Sequence, residues 1–211
     1  MESTGSQDSN EHLEIEVKFR VEDRRLLQAR IEQAGAERLS EVFETNIRWD
    51  DGSESLKARK CLLRLRKESG GKALLTFKSP PPIEDERFKV FNERETEVCD
   101  GEEMAAILEA LGFRPVQVYE KERITYRLGS VLLCLDRLPF GDFLEIEGEK
   151  QAIQQTAERL GLEWEQRILD NYLALFEKLR NSMGLPFTDV TFANFGFRPC
   201  TLPLSRPHEG I

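Results

Sequence analysis

Charged or hydrogen-bonding residues recur at every second position in six segments of this chain. The pairs are Glu14/Glu16 followed by Lys18, Arg64/Arg66, Thr76/Lys78, Glu95/Glu97, Lys121/Arg123 and Glu145/Glu147. Side chains two apart on a β-strand share a face, so each pair lies on one side of its strand. The positions between and beside them are largely apolar: Ile15, Val17 and Phe19, Leu63 and Leu65, Leu75 and Phe77, Leu144 and Ile146. The pattern predicts strands with one ionic and one apolar face. A sheet of such strands gathers acids and bases on one surface, a combination suited to a polyanion bound together with metal ions.

The same pattern predicts strands over 12–21, 42–50, 60–68, 72–79, 87–98, 115–128, 130–138 and 142–149. Helical periodicity, with apolar residues three and four apart, predicts helices over 23–34, after Asp100, near 151–160 and near 168–181. Asp100 with Glu103 reads as a helix start, and Gly35 and Gly112 as helix stops. Asp51-Gly52-Ser53, Ser69-Gly70-Gly71, Leu128-Gly129-Ser130 and Pro139-Phe140-Gly141 read as turns, and Pro80-Pro81-Pro82 as a stiff break. Short turns between successive strands imply antiparallel pairing. The expected fold is therefore α+β, with about eight antiparallel strands closing into a barrel and helices flanking it.

Two placements of the ionic face remain open on the pattern alone. The charges can face solvent over a dry apolar core. Alternatively, the helices' apolar stripes cover the greasy outside of the barrel and the charges line its bore. Each buried ion costs several kcal/mol unless it is paired, wet or ligand-bound, so the second arrangement requires a solvent-filled tunnel.

Composition narrows the field. The chain has 211 residues, long enough for one sizeable domain, with 39% hydrophobic and 33% charged residues. Its 30 basic and 39 acidic residues give a net charge of −9, which argues against general nucleic-acid coating. Cys61, Cys99, Cys134 and Cys200 lack metal-site spacing and read as reduced thiols of a cytoplasmic protein. No apolar run has the length of a membrane span. The only histidines are His12 and His208, so catalysis built on a central His base is not expected. Residues 1–12 read as a flexible tail, 13–181 as the domain and 182–211 as a Pro/Phe-rich extension. The extension carries Phe187, Phe192, Phe195 and Phe197, whose apolar character predicts docking on the domain or on a second subunit.

These residues resemble the CYTH superfamily, the triphosphate tunnel metalloenzymes. Glu14-Ile15-Glu16-Val17-Lys18 matches the family's E-x-E-x-K signature. Leu63-Arg64-Leu65-Arg66, Thr76-Phe77-Lys78, Glu95-Thr96-Glu97, Lys121-Glu122-Arg123, Asp136 and Glu145-Ile146-Glu147 follow in the family's order. Ala110 to Pro115, Tyr119 to Arg123, Gly141 to Glu147 and the Asn171-Tyr172 helix start resemble the branch labelled class IV adenylyl cyclases, which includes cyclases and inorganic triphosphatases. Relatives often carry Arg where this chain has Glu93, which leaves the register of Glu93, Glu95 and Glu97 open. The proline-rich loop and the extension lie outside the family's pattern.

The resemblance implies a tunnel in which Lys18, Arg64, Arg66, Lys78, Lys121 and Arg123 bind the phosphates, since Arg grips phosphate oxygens with paired bonds. It implies Mg²⁺ or Mn²⁺ on Glu14, Glu16, Glu145 and Glu147, because both cations take carboxylate oxygens. Glu95, Glu97 and Asp136 would add ligands or orient the nucleophile, joining Glu14, Glu16 and Lys18 in catalysis. Trp49 either packs or stacks a base at the entrance, and Tyr172 reads as structural, with its hydroxyl reaching a polar group. The expected activity is metal-dependent hydrolysis of tripolyphosphate or a related triphosphate. The alternatives are an adenylyl cyclase making cyclic AMP from ATP and a non-catalytic polyphosphate- or nucleotide-binding module, with RNA 5′-triphosphatase activity less supported. The partner is a small triphosphate, not nucleic acid or membrane, and the family is compatible with a homodimer.

Overall fold

The first strand, β1 (Leu13–Val21), alternates as its sequence predicts and pairs on one side with β5 (Lys89–Val98) and on the other with β8 (Gly141–Glu147). In this computed structural model, which describes residues 13–81 and 85–196, eight antiparallel strands close into a barrel in the order β1-β5-β4-β3-β2-β6-β7-β8. The remaining strands are β2 (Glu37–Asp50), β3 (Leu62–Glu68), β4 (Ala73–Ser79), β6 (Arg114–Leu128) and β7 (Val131–Leu138). The expected tail, Pro82, and the end of the extension with Phe197, Cys200 and His208 lie outside the described residues.

The apolar faces point outward and the helices cover them. Helix α1 (Arg24–Gln33) and helix α4 (Lys150–Arg159) bury Leu27, Ile31, Ile153 and Ala157 against Val17, Phe19, Leu133, Leu135, Leu144 and Ile146. Helix α3 (Gly101–Ala110), capped by Asp100 accepting from the Glu102 and Glu103 amides, covers Leu65 and Trp49. Full burial of one such side chain is worth about 1.5–3 kcal/mol, so these clusters hold the barrel from outside and free its bore for charge.

Helix α5 (Tyr172–Met183) starts where Asn171 accepts the Ala174 amide at 2.8 Å and ends at Gly184, whose φ of 64° is the left-handed stop that Gly takes without strain. Tyr172, Leu175, Phe176 and Leu179 pack on Tyr119, Phe140 and Phe143. The chain then returns to the barrel. β7 pairs with β6 only from Glu122 to Leu128, and Val190 takes the next stretch of that edge, donating to Val118 O (2.8 Å) and accepting from the Glu120 amide (2.9 Å). Phe187 and Phe195 pack on Phe176, and Phe192 meets Phe43. The described part of the extension thus docks on its own domain.

Two local features depart from the sequence reading. β2 begins at Glu37, not near 42, because its exposed first residues pair with β6 through an irregularity between Arg38 and Ser40 without apolar alternation. Between β2 and β3 the chain forms a short helix, α2 (Ser55–Ala58), in place of a simple turn. A 3-10 turn at Trp164–Gln166 leads into Ile168, which pairs with Lys18 where β5 no longer reaches β1.

Candidate functional site: a charged tunnel

The strand faces that carry the alternating charges converge on one cavity of about 710 Å³ inside the barrel. Ten basic and eight acidic side chains line it among the described residues. Glu14, Glu16, Lys18, Arg64, Arg66, Lys78, Glu95, Lys121, Arg123, Glu145 and Glu147 are all there, so the bore placement of the ionic face holds.

The bases on β3 and β6 surround one carboxylate. Glu44, fully buried, lies 3.4 Å from Lys121 Nζ, 3.6 Å from Arg66 Nε and 3.7 Å from Arg123 Nε. Burial opposes its charge, but Lys121, Arg123, Arg66 and Arg64 outweigh that and hold its pKa well below the usual carboxylate range. Arg64 donates to Tyr119 Oη (3.2 Å), Thr76 Oγ1 (3.1 Å) and Glu95 Oε2 (3.4 Å). Among the described residues Arg64 Nε and Arg66 Nε have no hydrogen-bond partner, although both are buried. Buried donors left open in this way suit an anion that binds between them.

Asp136 sits behind the bases. It is fully buried, accepts from Arg123 Nε at 2.7 Å and Nη2 at 2.6 Å, and lies 3.2 Å from Lys121 Nζ. It is not among the residues lining the cavity. The structure thus places this expected ligand or nucleophile-orienting residue behind the lining, with both carboxylate oxygens on basic side chains.

The acids collect on β1 and β8. Pairing sets Glu16 opposite Glu147 and Lys18 opposite Glu145. Lys18 Nζ lies 2.8 Å from Glu145 Oε1 and 3.9 Å from Glu16 Oε1. Burial and Glu145 act to raise the pKa of Glu16, but Lys89, Lys18 and Lys78 lower it below normal. Glu145 is likewise desolvated, yet Lys18, Arg123 and Lys121 keep it ionised. Glu14 behaves oppositely: burial raises its pKa to about 8, with Lys78 opposing and Glu16 and Glu93 adding to the rise. Glu147 also rises, through burial and then Glu16.

Sequence reasoning missed Glu44, Lys89 and the inward turn of Glu93. Lys89 lies opposite Glu16 and forms an ion pair with it; burial disfavours its charge, but Glu16 and Glu145 raise its pKa. Glu93 lies 3.1 Å from Lys78, and Glu93 and Glu95 both face the cavity while Arg94 does not. Glu97, expected with them, keeps the same parity but sits outside the lining, 65% exposed and paired with Lys72. Trp49 is 2% exposed beneath α3, so it packs and stands at no entrance. Tyr172 does reach a polar group: its hydroxyl donates to Asp136 Oδ2 at 2.8 Å, and its ring faces Lys18 Nζ at 4.2 Å.

Among the described residues no three His, Cys, Asp or Glu side chains enclose a metal by themselves. Mg²⁺ is nonetheless commonly held by one or two carboxylates plus water and phosphate oxygens. Glu16 directly opposite Glu147, beside a Glu14 whose ionisation is suppressed, is a like-charge arrangement that a cation relieves. The residues present therefore fit a hard, oxygen-seeking divalent ion.

Comparison with known proteins agrees with this geometry. The family model described as CYTH domain matches residues 12–170, and the chain belongs to the CYTH family. A search of the curated proteins finds no match. Among solved structures, the PH1012 protein of Pyrococcus horikoshii OT3 is 34% identical, with a TM-score of 0.65 over 75% of this chain and 96% of its own. A candidate adenylate cyclase of Vibrio parahaemolyticus is 21% identical, with a TM-score of 0.69 over 79% and 98%. HpAC1 of Hippeastrum, a candidate adenylyl cyclase described as having a dominant triphosphatase activity, is 21% identical, with a TM-score of 0.59 over 78% and 95%. The last two identities support a shared fold.

Proposed function

We propose that this protein is a metal-dependent triphosphatase that hydrolyses inorganic tripolyphosphate or a related triphosphate. The observation that carries this reading is the presence, in one cavity, of both a cationic cradle and a carboxylate cluster beside it. Binding alone would need the bases but not Glu14, Glu16, Glu145 and Glu147 together. The triphosphatase activity named for the Hippeastrum protein is consistent with it.

In this reading Arg64, Arg66, Lys121 and Arg123 grip the phosphate chain, with Lys18, Lys78 and Lys89 bridging toward the acids. Glu44 and Asp136 hold those bases in place before substrate arrives, so little reorganisation is needed as charge develops. Mg²⁺ or Mn²⁺ held by Glu16 and Glu147, with Glu14 and Glu145 beside them, would neutralise phosphate charge and polarise the phosphoryl oxygens. Carboxylates of the same cluster orient a water toward the terminal phosphorus. Bases around the bridging oxygen stabilise the diphosphate that leaves.

A second reading is an adenylyl cyclase of the class IV branch, in which a ribose hydroxyl attacks the α-phosphorus of ATP. The candidate cyclase of Vibrio parahaemolyticus favours it, and the same cradle serves either nucleophile. One assay panel separates the readings. Purified protein is incubated with tripolyphosphate, ATP or thiamine triphosphate and Mg²⁺ or Mn²⁺, and the products are identified. Orthophosphate with diphosphate is expected from tripolyphosphate. Cyclic AMP as the main product would replace the first reading with the second, and tight binding without turnover would point to a module. Glu16→Gln is expected to abolish turnover while the protein stays folded.

A further inference from the structure

We infer that the Tyr119 hydroxyl is a substrate-binding group, which donates its proton to a phosphate oxygen while Arg64 donates to it from the other side. This rests on the triphosphatase reading above in taking the ligand to be a phosphate, and it adds an uncharged residue to the cationic cradle.

The fold holds Tyr119 in place on every side but one. It stands on the inward row of β6 with Lys121 and Arg123, and it lines the cavity with them. Its ring belongs to the cluster of Phe140, Phe143 and Tyr172, and the residue is only 6% exposed. Its chain neighbours Val118 and Glu120 are both bonded to Val190 of the returning chain. From this seat the hydroxyl crosses the intervening strand β2 to reach Arg64 of β3, at 3.2 Å. Asn46, the β2 residue registered between Tyr119 and Arg66, is fully buried and absent from the lining, so Tyr119 and the arginines close over it.

The hydroxyl has a proton to give and can also accept. Among the described residues its one hydrogen bond is accepted, from Arg64 Nη1. Two neighbouring hydroxyls are already used as donors. Thr76 Oγ1 accepts from Arg64 Nη2 at 3.1 Å and gives its own proton to Glu95 Oε2 at 2.6 Å. Tyr172 gives its proton to Asp136. Tyr119 keeps its proton uncommitted, and a buried donor without an acceptor is costly. Burial disfavours ionisation of the phenol, but Arg64 and then Lys121 outweigh it and bring the pKa below that of an ordinary tyrosine, which strengthens the O–H as a donor. The cations that polarise it also gather the anion. Arg64 Nε and Arg66 Nε are the open buried donors of the cradle, so a phosphate seated on them comes within reach of Tyr119. Its oxygens only accept, which is the partner this hydroxyl lacks.

The test separates donating from accepting. Tyr119→Phe removes both. Fluorotyrosine incorporated at position 119 keeps the size of the side chain while making the hydroxyl a better donor and a poorer acceptor. Tripolyphosphate binding is measured by calorimetry without added metal, in mildly acidic buffer where the phenol keeps its proton, and wild-type hydrolysis is followed with Mg²⁺. Tyr119→Phe is expected to weaken binding about tenfold, the scale of a lost hydrogen bond to a charged group. The fluorotyrosine protein is expected to bind about twofold more tightly than the wild type. Weaker binding by the fluorotyrosine protein would confine the hydroxyl to holding Arg64 and overturn the inference, and so would unchanged binding in either variant. If Tyr119→Phe does not fold, the direction of the fluorotyrosine shift decides alone. Wild-type protein that neither binds nor hydrolyses tripolyphosphate would end the triphosphatase reading itself, a result distinct from wild-type binding that Tyr119→Phe leaves intact.

Discussion

Tyr172 Oη donates a 2.8 Å hydrogen bond to Asp136 Oδ2, and Asp136 in turn holds Lys121 and Arg123. One residue of α5 therefore fixes, through one carboxylate, two of the bases that face the tunnel. Burial, and then the charges of Asp136 and Glu145, raise the pKa of Tyr172, so it remains a donor. Its ring also stands against Lys18 of β1. The first turn of α5 thus ties together the cationic and the acidic sides of the cavity.

Tyr172→Phe keeps the ring and removes this bond. Losing a hydrogen bond to a buried carboxylate is expected to lower stability by about 1.5–3 kcal/mol, measured by urea unfolding. If Tyr172 positions the bases through Asp136, KM for tripolyphosphate should rise several-fold with a smaller change in kcat. Unchanged kinetics in a folded variant would confine Tyr172 to packing.

Glu44→Gln tests whether the tunnel is poised for an anion. Glu44 is the shared counter-charge of Lys121, Arg123 and Arg66, and removing one member of a buried ionic cluster typically costs about 3–5 kcal/mol. Tripolyphosphate should restore much of the loss by supplying the missing negative charge. Thermal melts should therefore show a larger ligand-induced rise in Tm for the variant than for the wild type. Equal rises would mean that the anion binds elsewhere.

These relationships mark how far the sequence was legible. Strict alternation made β1, β3 and β8 readable, and with them Glu14, Glu16, Lys18, Arg64, Arg66 and Glu145. Glu44 and Lys89 carried the same signal more weakly. Glu44 shares parity with Asn46 and Arg48, opposite Ile47 and Trp49, but Thr45 interrupts the apolar side. Lys89 shares parity with Glu93 and Glu95, with Phe91 between. Alternation cannot report depth, so Glu97 at the rim and Asp136 behind the wall looked like their neighbours in the bore. The segment around α2 was unreadable because its shape comes from Asp50 and Asp51 binding backbone amides, which leaves no periodic trace.

The pH dependence of stability follows from two opposed groups of carboxylates. Glu14, raised from 4.5 to about 8, and Glu147, also raised, keep protons in the folded state that the unfolded chain releases. Their contribution is therefore lost as pH climbs from about 4.5 toward 8. Glu16, Glu44 and Glu145 are depressed, so their contribution is present above about 4.5 and is lost as pH falls below it. The metal-free protein should be most stable in mildly acidic buffer. If Glu14 and Glu147 face a bound cation, Mg²⁺ should raise Tm more at pH 8 than at pH 6. A rise independent of pH, or larger at pH 6, would remove these two carboxylates from the metal site.

The returning chain beyond α5 supplies the final prediction. Where β7 stops pairing, the edge of β6 at Val118 and Glu120 is satisfied by Val190, and Asp189 accepts the Val118 amide at 2.9 Å. Phe187 and Phe195 cover Phe176. A chain ending at Gly184 would leave these backbone groups to water and uncover the aromatic cluster, at a cost of about 2–4 kcal/mol. The barrel itself closes without this segment, so the truncated protein should still fold, with a lower Tm. Hydrogen exchange gives the sharper check. The Glu120 amide should lose its protection on truncation, while the half of β6 paired with β7 keeps its own. Continued protection at Glu120 would mean that the extension rests on the edge without pairing to it, and that the strand carrying Tyr119 and Lys121 is held by the barrel alone.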